Sequence, residues 1–253
     1  MGKERLLASD YDGTLNLGGI GEAKKTALAE WKEKGNFFAV ISGRGIPNLM
    51  ELMDEDGIRP DFLVGDNGAT IADGKGTVLC ETGCRGDIAK ELAEYLFALG
   101  CDWATLRASS FDYHVKPAGY PCAEWEIPIG ELPQVPYFTQ MSTSLRSLDD
   151  TVRIIGQVRE RYGNLLNPLQ NSGCIDIVSK NINKAVGIRR LIQRIGVNEA
   201  DVIAVGDNVN DADMIRAFPS YAMENGVDEL KRIAGRTVAG VDILIRELLG
   251  EQK

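Results

Sequence analysis

The chain has 253 residues, with 28 basic and 37 acidic side chains and a net charge of −9 at pH 7. With 44% hydrophobic and 26% charged residues it reads as an ordinary folded protein, which makes disorder and fibrous repeats poor readings. The acidic balance argues against a nucleic-acid partner, which needs a basic face, and no apolar run approaches the ~18 residues of a membrane span. Glu4 follows the start too soon for a signal peptide, so a cytoplasmic location is the default expectation. At roughly 100–200 residues per domain, the length predicts one large or two modest domains.

In chain order, Leu6, Leu7 and Ala8 form a short strand core. Residues 22–34 place Ala23, Ala27, Leu28 and Trp31 at helical spacing, with Gly35 as a stop. Phe37–Ile41 is a continuous apolar run, as in a strand covered on both faces. A second helix carries Ile46, Leu49, Met50 and Met53, and 62–64 is another strand. This alternation predicts βαβ units and a parallel sheet.

Between about 82 and 171 the rhythm changes. A helix over 88–99 leads into a stretch rich in aromatics and prolines (Trp103, Tyr113, Trp125, Pro128, Pro133, Pro136), where the prolines restrict central strands. A strand over 137–145 and a helix over Leu148–Tyr162 follow. The βα rhythm then returns with a strand at 174–178, a helix at Lys184–Ile195, a strand at 202–205 and a final helix at 241–249. The economical reading is an α/β core, 1–82 and 172–253, interrupted by an inserted α+β module at 83–171.

Five scattered cysteines without CxxC spacing are expected to be free buried thiols. The single histidine, His114, excludes a multi-histidine metal site and leaves carboxylates as the candidates for proton transfer.

Acidic groups sit where apolar strands end. Asp10 and Asp12 follow the first strand; residues i and i+2 on a strand project to one side, and Gly13 permits a sharp turn there. Asp207, Asn208, Asn210, Asp211 and Asp213 follow the 202–205 strand. In open α/β sheets ligands bind beyond the carboxyl ends of strands, so both groups should meet in one crevice. A lone D-x-D-G is often just a turn, and an acidic cluster often a solvated loop. Two such groups at strand ends point instead to a shared cation, and magnesium suits hard oxygen ligands of this kind. Ser42-Gly43-Arg44 ends another strand, where a hydroxyl and exposed amides before a helix can bind an anion. Lys184 opens its helix, where a cation opposes the helix dipole by roughly 0.3–1 kcal/mol; an anion to neutralise explains the position better than a tolerated surface lysine does.

This set, Asp10-Tyr11-Asp12-Gly13-Thr14, then Ser42, then Lys184, then Gly206-Asp207-Asn208 through Asn210-Asp211, resembles the haloacid dehalogenase superfamily of aspartate-nucleophile phosphohydrolases. The insert between the second and third motifs resembles the C2 cap, type IIB, of the Cof-like branch, as do Asn67-Gly68-Ala69 and Tyr221-Ala222-Met223-Glu224-Asn225. The resemblance implies a Rossmann-like parallel-sheet core with helices on both faces and an inserted α+β cap. It further implies Asp10 as nucleophile and Asp12 as general acid and base, with a pKa raised by neighbouring carboxylates in a desolvated site. Mg²⁺ would bind Asp10, the backbone carbonyl of Asp12 and Asp207, with Asp211 as a supporting ligand. Thr14, Ser42, Gly43, Lys184 and Asn210 would hold phosphoryl oxygens.

Around this set, Arg44 is either a phosphate or cap contact or a surface residue, Asn67 either lines the crevice or makes a turn, and Asp213 is read as a solvated or helix-capping acid. His114 is read as an ordinary packed or surface histidine, with a cap-borne substrate contact as the alternative. Trp103 and Trp125 are expected in the cap core rather than as a sugar-stacking platform. The activity expected is Mg²⁺-dependent hydrolysis of a small phosphorylated metabolite, a sugar phosphate foremost, with no nucleic acid or membrane involved. A phosphomutase of the phosphomannomutase type is the alternative. A non-catalytic binding module is disfavoured because none of Asp10, Asp12, Lys184 or Asp207 is missing.

Overall fold

A computed structural model describes residues 4–108 and 111–250. The first elements are β1 (Leu6–Asp10), α1 (Glu22–Glu33), β2 (Phe37–Ile41), α2 (Ile46–Asp56), β3 (Phe62–Gly65), β4 (Thr70–Asp73) and β5 (Val78–Glu81). Then come β6 (Cys84–Arg85), α3 (Ala89–Ala98), β7 (Ala104–Ala108), β8 (Phe111–Lys116), β9 (Glu126–Pro128), β10 (Tyr137–Phe138), β11 (Gln140–Ser144), α4 (Leu148–Tyr162), β12 (Leu166–Asn171) and β13 (Cys174–Ser179). The chain ends with α5 (Lys184–Ile195), β14 (Val202–Gly206), α6 (Ala212–Ala217), β15 (Ser220–Met223), α7 (Asp228–Ala234), β16 (Thr237–Val238) and α8 (Val241–Gly250).

Two compact units result, one from residues up to Cys80 together with Asn183 onward, the other from Glu81–Ile182. The first is built on an eight-stranded sheet in the order β16-β15-β14-β1-β2-β3-β4-β5. Its strands pair in parallel from β16 to β3, and β4 returns antiparallel to β3. The β4–β5 edge was not legible in the sequence, because runs of four residues are too short to show an alternation. Side chains of the central strands alternate between two apolar layers. Leu7, Val40, Leu63 and Val205 face α1, α2 and α8, packing on Trp31, Leu49, Met53 and Leu244. Leu6, Ala8, Ala39, Ile41, Val64 and Ala204 face the opposite layer, with Ile188 and Leu191 of α5 and Met214 of α6. Two covered faces explain why β2 reads as an unbroken apolar run. Each fully buried side chain of Leu or Phe size contributes about 1.5–3 kcal/mol relative to exposure.

The second unit has a six-stranded sheet, β12-β13-β11-β7-β8-β9, and a two-stranded one, β10-β6. Helices α3 and α4 bury Leu92, Leu96, Ile154 and Val158 in a core with Leu106, Met141, Ile175 and Ile177. Strand β13 differs from the sequence expectation. The spacing assigned 174–178 to the returning core, whereas the strand pairs antiparallel with both β11 and β12, so this unit continues to Ile182. Periodicity detects a strand but carries no information about which sheet it joins. The run over 137–145 is likewise split at Thr139, whose amide donates to Arg107 O at 2.9 Å. Trp125, expected in the core, is 65% exposed and stands edge-on to the His114 ring. All five cysteines are free, and of these only Cys84 and Cys101 are buried. Among the described residues no helix is long and apolar enough to cross a membrane.

Candidate active site

The register of the first unit brings the motifs to one edge. Ser9 pairs with Val205 and Asp10 with Ile41, so Asp10, Ser42 and Asp207 leave the sheet side by side at the carboxyl ends of β1, β2 and β14. The chain proceeds from β1 through β2 to β3 on one side and from β14 through β15 to β16 on the other. The site therefore lies where the strand order reverses, the usual ligand position in open α/β sheets.

Lys184 is completely buried, and its Nζ donates to Asp10 Oδ1 at 2.6 Å and Asp211 Oδ1 at 2.5 Å. It is seated by the start of α5. The Asn183 side chain caps that helix by accepting from Val186 N at 2.9 Å and donates to Asp213 Oδ2 at 2.8 Å. Two glycines let α5 approach the loop after β3. A Cβ on Gly68 would lie 2.2 Å from Asn183 O, and one on Gly187 would lie 2.6 Å from Gly68 Cα. Larger residues at either position would push α5, and the ammonium with it, away from β1. Asp211 is fully engaged, since its Oδ2 accepts the amides of Asp207 and Asn208 at 3.0 and 3.1 Å. Asp207 is half-buried and accepts Thr14 Oγ1 at 2.7 Å.

The electrostatics follow from burial. Desolvation pushes the Asp10 carboxyl well above the usual carboxylate range; Lys184 opposes this, while the charges of Asp211 and Asp207 reinforce it. Asp207 is also raised, chiefly by burial. Burial acts to lower Lys184, yet the charges of Asp10 and Asp211 outweigh it and hold the ammonium above its ordinary range. One cation thus faces three carboxylates, a surplus of negative charge in a poorly solvated place.

The expected site residues divide. Asp10, Asp207, Asp211 and Lys184 meet directly. Ser42, 2% exposed, stands at the end of β2, its Oγ accepting from Arg44 N at 3.1 Å. Gly43 is half-buried in its loop, and Asn210 is half-buried in a 3-10 turn over Val209–Asp211. Two details differ from expectation. Thr14 is fully buried and its hydroxyl proton goes to Asp207, so it fixes a carboxylate. Asp12 lies outside the crowded carboxylates, with its side chain 54% exposed. The Arg44 guanidinium grips it through Nε at 2.6 Å and Nη2 at 2.8 Å, and Nη1 donates to Asn48 Oδ1 at 2.8 Å. The end of the strand explains this: Asp10 is its last residue, so the alternation does not extend to Asp12, and the backbone turns at Gly13 (φ +77°) just after it. Asn67 is buried in a left-handed turn (φ 51°), and Asp213 holds the α5 cap. His114 belongs to the second unit, where its Nδ1 and Thr105 Oγ1 share a hydrogen bond of 2.9 Å.

Three further sets of contacts brace the site, and of their side chains only Asn225 lies in a motif that the sequence shows. Asn225 Nδ2 donates to Gly13 O at 2.9 Å. Val227 N donates to Asp207 O at 2.8 Å, and a Cβ on Gly226 would lie 2.8 Å from that same carbonyl. Lys24 Nζ donates to Leu15 O, Leu17 O and Gly19 O at 2.9–3.1 Å, fixing the loop that leaves the Asp10 motif. These are tertiary partners of backbone atoms, which a linear pattern does not register.

Asp10, Asp207 and Asp211 each offer an oxygen, all within 4.8 Å of one another. Hard oxygen donors, buried and in charge excess, suit a divalent cation. Asp10 and Asp207 could hold such a cation, whereas both oxygens of Asp211 already accept hydrogen bonds.

Comparison with known proteins gives the chain's family. A phosphatase of Yersinia pestis named HMP-PP phosphatase is 23% identical, the alignment covering 90% of this chain and 86% of that one. A haloacid dehalogenase-like hydrolase from B. subtilis superposes with a TM-score of 0.83 at 18% identity, covering 96% of this chain and 99% of that one. The HAD subclass IIB sugar phosphatase BT4131 superposes with a TM-score of 0.79 at 19% identity, covering 96% and 98%. The sequence pattern of the haloacid dehalogenase-like hydrolases matches residues 7–241; the chain belongs to that family of enzymes.

Proposed function

We propose that the protein is a Mg²⁺-dependent phosphomonoester hydrolase that acts on a small phosphorylated metabolite, a sugar phosphate foremost, through an aspartyl-phosphate on Asp10. The observation that carries this reading is the buried Asp10–Lys184–Asp211 cluster with Asp207 beside it. The names of the Yersinia pestis relative and of the structural neighbour BT4131 support it.

In the first displacement an oxygen of Asp10 bonds to phosphorus as the ester P–O bond breaks, and Asp12, protonated on an oxygen that Arg44 releases, gives that proton to the leaving alkoxide. In the second, water attacks the same phosphorus, Asp12 takes the proton, and the Asp10 carboxylate leaves. Dividing hydrolysis in this way replaces one difficult step with two easier ones. Lys184 offsets the repulsion between Asp10 and an incoming phosphate, and Ser42, Gly43 and Asn210 are proposed to hold phosphoryl oxygens. The Arg44 grip fixes the direction of the Asp12 carboxylate. Asp10, Asp207 and the carbonyl of Asp12 would hold Mg²⁺, which when bound supplies positive charge to the phosphoryl oxygens. Positioning and charge carry most of phosphoryl-transfer catalysis. The inserted unit is proposed as the cap whose side chains select the substrate.

Phosphate release from a panel of sugar phosphates, nucleotides and aryl phosphates tests the reading. Activity should vanish in chelator and return with Mg²⁺. Asp10→Asn should lower kcat by at least about 10⁴-fold, the scale for losing a nucleophile, with its circular dichroism unchanged. Turnover retained by that variant removes the nucleophile, and isomer formation without phosphate release would make the enzyme a mutase.

A further inference from the structure

The residue between the two aspartates assigned to catalysis has no part in the chemistry above, yet its side chain is buried and hydrogen-bonded at its tip. Tyr11 is 1% exposed and points into the apolar layer with Leu49 and Met53 of α2. Its hydroxyl donates to Asp56 Oδ2 at 2.5 Å and accepts from Asn16 Nδ2 at 3.0 Å. The backbone closes the same knot: Leu15 N donates to Asp10 O at 3.2 Å and Asn16 N to Tyr11 O at 2.8 Å.

Asp56 is the last residue of α2. A carboxylate there opposes the helix dipole by roughly 0.3–1 kcal/mol, and it follows Asp54 and Glu55 in a last turn with no basic residue. Helix stability therefore disfavours an acid at this position, while the contact with Tyr11 gives it a use. At the other end of the helix, Arg44, two residues before it starts, grips Asp12, and Asn48 in its first turn braces Arg44. One helix thus holds two consecutive residues of the Asp10–Asp12 loop from its two ends.

We propose that α2 is a strut for the catalytic loop and that Tyr11 and Asp56 are positioning residues, holding the Asp10 and Asp12 carboxylates in place through the loop backbone. The inference rests on the phosphatase reading for its effect on turnover. Misplacing a reacting group by about 1 Å can cost on the order of 100-fold in rate. Tyr11→Phe and Asp56→Ala, assayed with saturating Mg²⁺ well below their melting temperatures, should lower kcat about 10- to 100-fold and leave KM within about twofold. Asp56→Asn keeps an acceptor for the Tyr11 hydroxyl and should stay within about threefold of the parent. The Tyr11→Phe/Asp56→Ala double variant should be no slower than the worse single one, since both break one contact. A general loss of packing would instead follow melting temperature, and Asp56→Ala relieves the helix end, so its stability should not fall in step with kcat.

Parent-like kcat in Tyr11→Phe and Asp56→Ala, or Asp56→Asn as slow as Asp56→Ala, overturns the strut. If the parent releases phosphate from no ester in the panel, it is the phosphatase reading that fails. Amide hydrogen exchange then decides the strut without a substrate. The Leu15 and Asn16 amides should exchange at least about tenfold faster in Tyr11→Phe and Asp56→Ala than in the parent and Asp56→Asn; equal rates overturn it.

Discussion

Replacing Lys184 with Met keeps most of the side-chain volume and removes the one cation among three carboxylates. The ammonium is wholly buried and within 2.6 Å of both partners, so its loss leaves Asp10 and Asp211 facing each other. Breaking a buried pair by deleting one member costs about 3–5 kcal/mol. At about 2–4 °C per kcal/mol for a chain of this size, the melting temperature should fall by about 6–20 °C. The pH dependence has a definite sign. Burial already raises the Asp10 carboxyl in the parent, and the variant loses the Lys184 charge that opposes this, so Asp10 is harder still to ionise when folded, whereas the unfolded chain ionises it near 3.9. The folded state then binds more protons above that pH, so its stability rises as pH falls. Lys184 in the parent is raised, so its contribution stays intact until well into the alkaline range and is lost only above it. Urea unfolding in EDTA, followed by circular dichroism, should show a deficit that is largest near pH 8 and narrows toward pH 5. Turnover should drop about 10²- to 10³-fold, as for removal of one preorganised charged donor. A deficit below about 1 kcal/mol at neutral pH, or one that widens on acidification, would show that Lys184 does not neutralise this cluster.

Asp207→Asn keeps an acceptor for Thr14 Oγ1 and removes a carboxylate that burial already disfavours. In EDTA its melting temperature should rise by about 2–4 °C, the effect of about 1 kcal/mol, while calorimetry should find Mg²⁺ affinity down at least about tenfold, the scale for a lost ligand. Gly13→Ala meets both a left-handed φ of +77° and a Cβ 2.5 Å from Asp207 Oδ2. The backbone term alone costs roughly 1–2 kcal/mol, and displacement of Asp207 should raise the Mg²⁺ concentration for half-activation. A Gly13→Ala enzyme with parent-like Mg²⁺ dependence would separate that turn from the cation.

Much of the first unit could be read before its coordinates. The helix read at Lys184–Ile195 has the bounds of α5, which the structure explains by the Asn183 cap and the left-handed Gly196, and the apolar run of β2 announced a covered strand. The convergence of Asp10 with Asp207 followed from placing acids at strand ends, since parallel register then does the rest. What escaped the sequence is of another kind. Which sheet β13 joins depends on its pairing with β11 as well as with the adjacent β12. The pairing of Asp12 with Arg44, and of Thr14 with Asp207, depends on side-chain direction in a turn, where strand alternation no longer applies. The Tyr11–Asp56 contact spans 45 residues between an apolar position and a helix end; Asp56 lies in no motif, and Tyr11 enters one only as the residue between two aspartates.

The pairing of β1 with β14 has a consequence for synthesis. Leu6 opposes Val202 in the middle of the sheet, so on the ribosome the first strand waits for nearly the whole chain before its second edge is satisfied. A nascent chain can lay β2 and β3 beside β1 early, yet one flank of that apolar strand stays open throughout translation of the inserted unit. Unpaired strand edges of this sort recruit other chains. Expression yield should therefore be more sensitive to elongation rate and holding chaperones than the stability of the finished fold would suggest.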